Sequence, residues 1–291
     1  MPRIRFSDKH KKTTGQILPT MKKFSLLLAA LLAIVSCGGG KKASPKAVVI
    51  YFSQQNSTKA VAETIASSLG APTAVIEPVV PYDGDYGQTV QRGQQEIQSG
   101  ALPEIKPLSV NVEDYDIIFL GYPIWFGTYA PPVKTFLTNA HLDGKKIVPF
   151  CTFGSGGLNT SVNDLKALLP NSEILPGYGV RAARMDAVAS EVDYFLRSNG
   201  YIEGDFTPLP AFSGQSPVTE AEASIFDEAV KDYAMIKAKA KTVCQRDIPS
   251  GKEYLFTATN LTPEGEESET SIQVYVTVPD GGTPVFTQVL R

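Results

Sequence analysis

Residues 47–58 read Ala47-Val-Val-Ile-Tyr-Phe52 followed by Ser53-Gln-Gln-Asn-Ser-Thr58. The first six are a continuous apolar run, the pattern of a strand covered on both faces of a parallel sheet. The next six are polar. Val61, Ile65, Ala66 and Leu69 then recur at helical spacing, and Gly70 supplies a stop. A buried strand that passes through a short polar loop into an amphipathic helix is the opening of a βαβ unit.

Downstream the alternation continues. Ala74–Ile76 is expected as a second strand, Gln88–Gln98 as a helix and Tyr115–Gly121 as a third strand. Val133, Phe136 and Leu137 mark a short helix after Pro131-Pro132. Lys146–Thr152 reads as the fourth strand, Ser161–Leu169 as a helix, Ile174–Val180 as the fifth strand and Ala187–Arg197 as a closing helix. Five strands separated by helices predict a doubly wound α/β domain over residues 46–202, with a parallel sheet and right-handed crossovers. Such sheets bind ligands beyond the carboxyl ends of their strands. The loops after strands one, three and four are therefore the places to look for chemistry.

The flanks differ in character. Residues 1–36 read as an N-terminal extension and a signal peptide: Lys22 and Lys23 precede an apolar stretch, Phe24–Val35, too short to span a bilayer. It ends in Ile34-Val35-Ser36-Cys37, which resembles the bacterial lipobox, so Cys37 is the expected lipidation site. A plain signal peptide or a single anchor helix is the alternative. Residues 37–45 are Gly-, Lys- and Ser-rich, a tether. The expected location is the bacterial cell envelope, outside the cytoplasm, with the membrane reached through the lipid.

Residues 203–217 turn Pro-, Ser- and Gly-rich from Phe206 on and read as a linker. Residues 218–291 form a small α+β module: a long helix over Val218–Lys241 with Ile225, Ala229, Tyr233 and Ile236 on one face, then three strands, Lys252–Thr259, Thr270–Val278 and Pro284–Leu290. Pro263-Glu-Gly and Pro279-Asp-Gly-Gly supply the turns of an antiparallel meander.

Charge and composition exclude several functions. The net charge is -3, but residues 1–36 hold seven Lys/Arg and one acidic residue, which leaves the chain from Cys37 onward near -9. That sign opposes nucleic acid as a partner. Three cysteines without CxxC spacing and two histidines, His10 and His141, give a zinc site little material. A Cys151–Cys244 disulfide is a minor alternative, since Cys151 falls in an apolar strand. With His141 the sole histidine of the mature chain and no GxSxG, a hydrolase is disfavoured, and no residue is assigned a catalytic role.

The three strand-end loops are unusual. Ser53, Gln54, Gln55, Asn56, Ser57 and Thr58 put hydroxyls and backbone N–H groups at a helix start, an anion site without the lysine of a nucleoside-triphosphate loop. Taken alone, the same residues read equally well as an N-capped helix. Pro123, Ile124, Trp125, Phe126 and Gly127 carry the chain's only tryptophan in a Pro/Gly-rich stretch, where a planar ring can meet a flat heterocycle, although both rings could simply be core. Thr152, Phe153, Gly154, Ser155, Gly156 and Gly157 allow close backbone approach to a ligand, or form a flexible turn.

Together these features resemble the flavodoxin family over residues 46–200: Tyr51-Phe-Ser53, Gly121-Tyr-Pro-Ile-Trp125 with Gly127, Pro132-Val-x-x-Phe136-Leu, Phe150-Cys-Thr152 with its glycines, and Tyr82-x-x-x-Tyr86. The resemblance implies strand order 2-1-3-4-5 and noncovalent FMN. Ser53 to Thr58 would hold its phosphate, Pro123 to Gly127 would line the ring with Trp125 stacking, and Thr152 to Gly157 would close the other edge. Gln55 and Asn56 depart from the family's Ser-x-Thr-Gly-x-Thr loop; Asn tolerates the left-handed conformation that Gly would supply. The tail more weakly resembles a cystatin-type fold, with Asp247–Gly251 where that family has its Gln-x-Val-x-Gly loop. The implied function is electron transfer or flavin-dependent reduction, with a redox partner protein or a small-molecule acceptor. The alternative is a flavin-free scaffold acting through its C-terminal module.

Overall fold

The protein is described by a computed structural model over residues 45–290. The extension, the signal segment and the Cys37 lipidation site lie outside the described residues.

The first run becomes strand β1 (Ala47–Tyr51), followed by helix α1 (Ser57–Leu69), β2 (Thr73–Val75) and α2 (Tyr86–Ser99). Next come β3 (Ile117–Trp125), β4 (Thr128–Tyr129), α3 (Pro131–Asn139), β5 (Lys146–Phe153) and α4 (Leu158–Leu168). The domain closes with β6 (Glu173–Ile174), β7 (Tyr178–Arg181) and α5 (Val188–Ser198). The parallel order is β2-β1-β3-β5, and β5 then pairs with both β6 and β7. That is the 2-1-3-4-5 order expected, with its fifth strand in two pieces.

The break has a local cause. Leu175-Pro176-Gly177 lies opposite Pro149 of β5, so neither proline can donate to the ladder there. Gly177 also comes so close that a Cβ would stand 2.7 Å from the Pro149 carbonyl oxygen.

Alternation along each central strand feeds two cores. Val48, Ile50, Ile118, Leu120, Tyr122 and Ile147 face one cluster, covered by α3 and α4 through Val133, Phe136, Leu137 and Leu165. Val49, Tyr51, Ile117, Phe119, Val148 and Phe150 face the other, covered by α1 and α5 through Val61, Ile65, Val192 and Leu196. Both faces being buried explains why these strands read as unbroken apolar runs. Each fully buried Ile, Val or Leu contributes about 1.5–3 kcal/mol.

The tail departs from expectation in one element. The helix stops early: α6 spans Glu220–Val230, and Ala238–Lys241 belongs to a strand, β9 (Ala238–Ile248). Ala and Lys favour helix, yet β9 pairs with β10 (Gly251–Leu261) along most of its length, and tertiary pairing overrides propensity. The apolar face is nonetheless retained, since Ile236 is buried and Ile225, Ala229 and Tyr233 pack on the same core. β11 (Glu267–Pro279) and β12 (Val285–Leu290) complete the meander in the order β12-β11-β10-β9.

The segment read as a linker is docked from its middle to its end. The Leu209 amide donates to the Tyr194 hydroxyl on α5. Ser213 exchanges hydrogen bonds with Gln245 of β9, and Ser216–Pro217 forms a short edge strand, β8, on the same sheet. Cys151 is buried in β5 and Cys244 lies in β9 of the second sheet; both are free thiols.

Candidate functional site

At the end of β1 the chain turns through Asn56, whose φ of 64° is left-handed, and enters α1 at Ser57. Asn56 thus supplies the backbone geometry that a glycine would. Its side chain caps nothing, and the Ser53 hydroxyl accepts from the Lys59 amide at 3.2 Å. The Ser57 and Thr58 N–H groups carry no partner among the described residues and stand at the positive end of the helix dipole. Thr58 is buried, and its Oγ1 lies 2.8 Å from Thr152 Oγ1 at the end of β5. The first and third loops are tied together at their base.

Trp125 is the last residue of β3, not part of a loop beyond it. It pairs with Thr128 across a two-residue hairpin turn at Phe126 and Gly127, with φ of 52° and 90°. Two successive positive φ values are the mark of a type I′ turn, which suits Asn-Gly far better than Phe-Gly. Placing a phenylalanine there costs on the order of 1–3 kcal/mol and leaves a half-exposed ring at this corner.

The indole is held edge-on by two rings: Phe52 at 5.7 Å between centroids and 85°, and Tyr82 at 5.1 Å and 84°. Helix α2 closes from behind, where Gly93 leaves room for the indole. Tyr82 is fixed in turn. Its hydroxyl donates to Glu96, and the Arg92 guanidinium lies 3.9 Å over its ring while binding Glu96 and the carbonyls of Val80 and Pro81. Burial, and then the bond to Glu96, push the Tyr82 hydroxyl far above its ordinary pKa, so it stays protonated. Gln54 donates its amide to the Tyr82 carbonyl, which joins this corner to the first loop.

These elements enclose a cavity of about 470 Å³ at the carboxyl edge of the sheet, within the usual range for cofactor sites. Of the residues singled out in the sequence, it is lined by Ser53, Gln54, Gln55, Ser57, Thr58, Pro123, Ile124, Trp125, Phe126, Thr152, Phe153 and Gly154. Asn56, Gly127, Ser155, Gly156 and Gly157 stand outside the lining; the first two shape turns. Gly84, Tyr86, Thr89, Val90 and Ala182 line it as well and were missed. The Tyr82-x-x-x-Tyr86 spacing was the available signal for the first four. Ala182 had none, since it is brought in only by the end of β7.

Among the described residues, no Asp, Glu, Lys, Arg or His lines this cavity. Its floor is hydroxyl, amide and helix N-terminus, and its walls are aromatic and apolar. That donor set fits a phosphate monoester joined to a flat heterocycle.

The family model described as Flavodoxin matches residues 46–193, just over half of the chain. The chain belongs to the flavodoxin family. No protein with a curated description matches it. Similar solved structures include a Bacteroides eggerthii protein assigned as a flavoprotein, with 29% identity, TM-score 0.46, and 52% of this chain and 97% of that one covered. A flavoprotein from Lactobacillus acidophilus in complex with FMN shares 25% identity, with TM-score 0.43, and 53% and 100% covered. The family match ends before α6 and the second sheet.

Proposed function

We propose that the chain binds FMN in this cavity and works in electron transfer or as a flavin-dependent reductase. The observation that carries the reading is the uncharged cavity, with a helix N-terminus and hydroxyls at one end and Trp125 at the other. Ser53, Gln55 and the hydroxyls and amides of Ser57 and Thr58 would hold the phosphate. Pro123, Ile124 and Trp125 would line the ring, with Phe153 and Gly154 at its other edge. Bound FMN supplies reversible one- and two-electron chemistry, and the protein orients the ring and excludes water from it.

Support for FMN comes from family membership and from the FMN complex of the Lactobacillus acidophilus protein. The electron donor and acceptor are a redox protein or a small molecule that reaches the exposed lip at Tyr86 and Phe126. The setting we propose is the bacterial envelope membrane, reached through a lipid on Cys37.

Titrating the purified chain into FMN tests the reading. Quenching of flavin fluorescence with one-to-one saturation is expected. A chain that leaves FMN fluorescence unchanged after removal of any bound flavin would defeat it.

A further inference from the structure

The glycine loop does not close over the cavity as a free flap. After Gly154 the chain turns away from the cavity and packs against the C-terminal module. The Val289 amide donates to the Ser155 carbonyl at 2.7 Å. β12 is the edge strand of its sheet, with β11 as its partner, so this bond satisfies a donor on the open edge. Gly156 is pressed against the same strand: a Cβ there would stand 2.4 Å from the Val289 carbonyl oxygen. No side chain fits without separating loop and strand.

Arg181 locks the contact. It ends β7, one residue before cavity-lining Ala182. Its Nε donates to the Gly154 carbonyl at 2.8 Å and its Nη1 to the Phe286 carbonyl of β12 at 2.7 Å. The guanidinium lies over the Phe286 ring at 4.3 Å and near the Tyr233 ring at 5.4 Å. One planar fork thus holds the cavity wall and the module together, a geometry a lysine cannot reproduce. It also brings a positive charge against the wall of a cavity lined by none.

We infer that Arg181 is a positioning residue for the flavin site, and that the C-terminal module, through Arg181 and Val289, holds the Gly154 wall in its binding geometry. This rests on the FMN reading above. The module is then part of the cofactor site, and whatever loosens it weakens flavin binding. The charge of Arg181 favours the reduced, more negative flavin, so it raises the midpoint potential.

Three full-length variants test this by FMN titration, midpoint potential, thermal midpoint and exchange of the Val289 amide, the donor of the loop–module bond. Arg181→Gln is expected to raise the FMN dissociation constant about tenfold, the scale of one lost charge-assisted bond, and to lower the potential. Arg181→Lys should restore the potential but not the affinity. Gly156→Ala, outside the cavity lining, should weaken FMN binding with the potential nearly unchanged. Wild-type affinity and potential in folded Arg181→Gln and Gly156→Ala would overturn the inference. If the wild-type chain binds no FMN, the functional reading fails separately. The coupling is then read from exchange alone, where unchanged protection of the Val289 amide in both variants overturns it.

Discussion

Gly121 lies directly beneath the Phe150 ring: a Cβ at 121 would stand 2.2 Å from Phe150 Cζ, 2.3 Å from Cε2 and 2.9 Å from Tyr51 Cβ. Gly121 pairs with both Tyr51 and Phe150 in the centre of the parallel sheet, where Phe150 is fully buried. A packed interior has no space to absorb a shifted ring. Gly121→Ala should therefore destabilise the domain by about 1–3 kcal/mol or more through overpacking, despite the better strand propensity of alanine. Chemical denaturation measures it; a loss under 0.5 kcal/mol would mean that Phe150 can swing aside.

Trp125 and Phe126 make separable contributions. Trp125→Ala removes the indole that lines the cavity and contacts Phe52 and Tyr82. FMN binding should weaken about tenfold, the scale of one aromatic contact of about 1–1.5 kcal/mol. Phe126→Asn relieves a left-handed phenylalanine, so the lost contact of a half-exposed ring is offset. Stability should change by less than about 1 kcal/mol, while FMN affinity still falls. Fluorescence titration paired with denaturation reads both, and unchanged FMN affinity in Phe126→Asn would show that Phe126 has no part in binding.

Much of this site was readable because each loop follows a strand whose apolar run is unmistakable. β1, β3 and β5 are covered on both faces, so their patterns locate the strands; the ends of β1 and β5 follow closely, whereas β3 runs four residues past Gly121 to Trp125, because Tyr122-Pro-Ile-Trp125 continues the strand and pairs back through the turn at Phe126. Asn56 was legible too, because only a residue tolerant of positive φ fits that turn. The Gly154–Gly157 loop was harder. Glycine permits close approach to a ligand or to a protein strand, and the sequence does not distinguish them; Gly156 meets Val289, more than a hundred residues away in sequence. The same nonlocality hid β9, where an Ala/Lys-rich segment follows a true helix and only pairing with β10 makes it a strand.

Glu267 gives the C-terminal module an acid-sensitive joint. Its carboxylate bonds Lys241 Nζ, and Lys239 Nζ lies 3.3 Å away. The Lys241 bond, then that to Lys239, holds the folded-state pKa below the ordinary glutamate value. A depressed folded pKa contributes stability above the unfolded pKa, and that contribution is lost as pH falls through the folded one. The module should thus lose stability as pH drops below about 4.3, the unfolded glutamate value. Glu267→Gln should flatten that part of the profile, and added salt should shrink the difference because the pair is exposed. Identical pH profiles for the two proteins would show that the bridge contributes nothing measurable.

Anchoring at Cys37 is the prediction that decides where the flavin site works. Nine residues, 38–46, separate Cys37 from β1 in the sequence. A lipid on Cys37 would then tie the domain to the membrane through a short length of chain. Intact mass spectrometry of the protein recovered from bacterial membranes should show a chain that starts at Cys37 and carries the added acyl mass. Cys37→Ser should release the protein from the membrane fraction while leaving FMN affinity unchanged, because the tether precedes the sheet that forms the cavity. A mature chain that starts elsewhere, or a Cys37→Ser protein that stays with the membrane, would require another anchor.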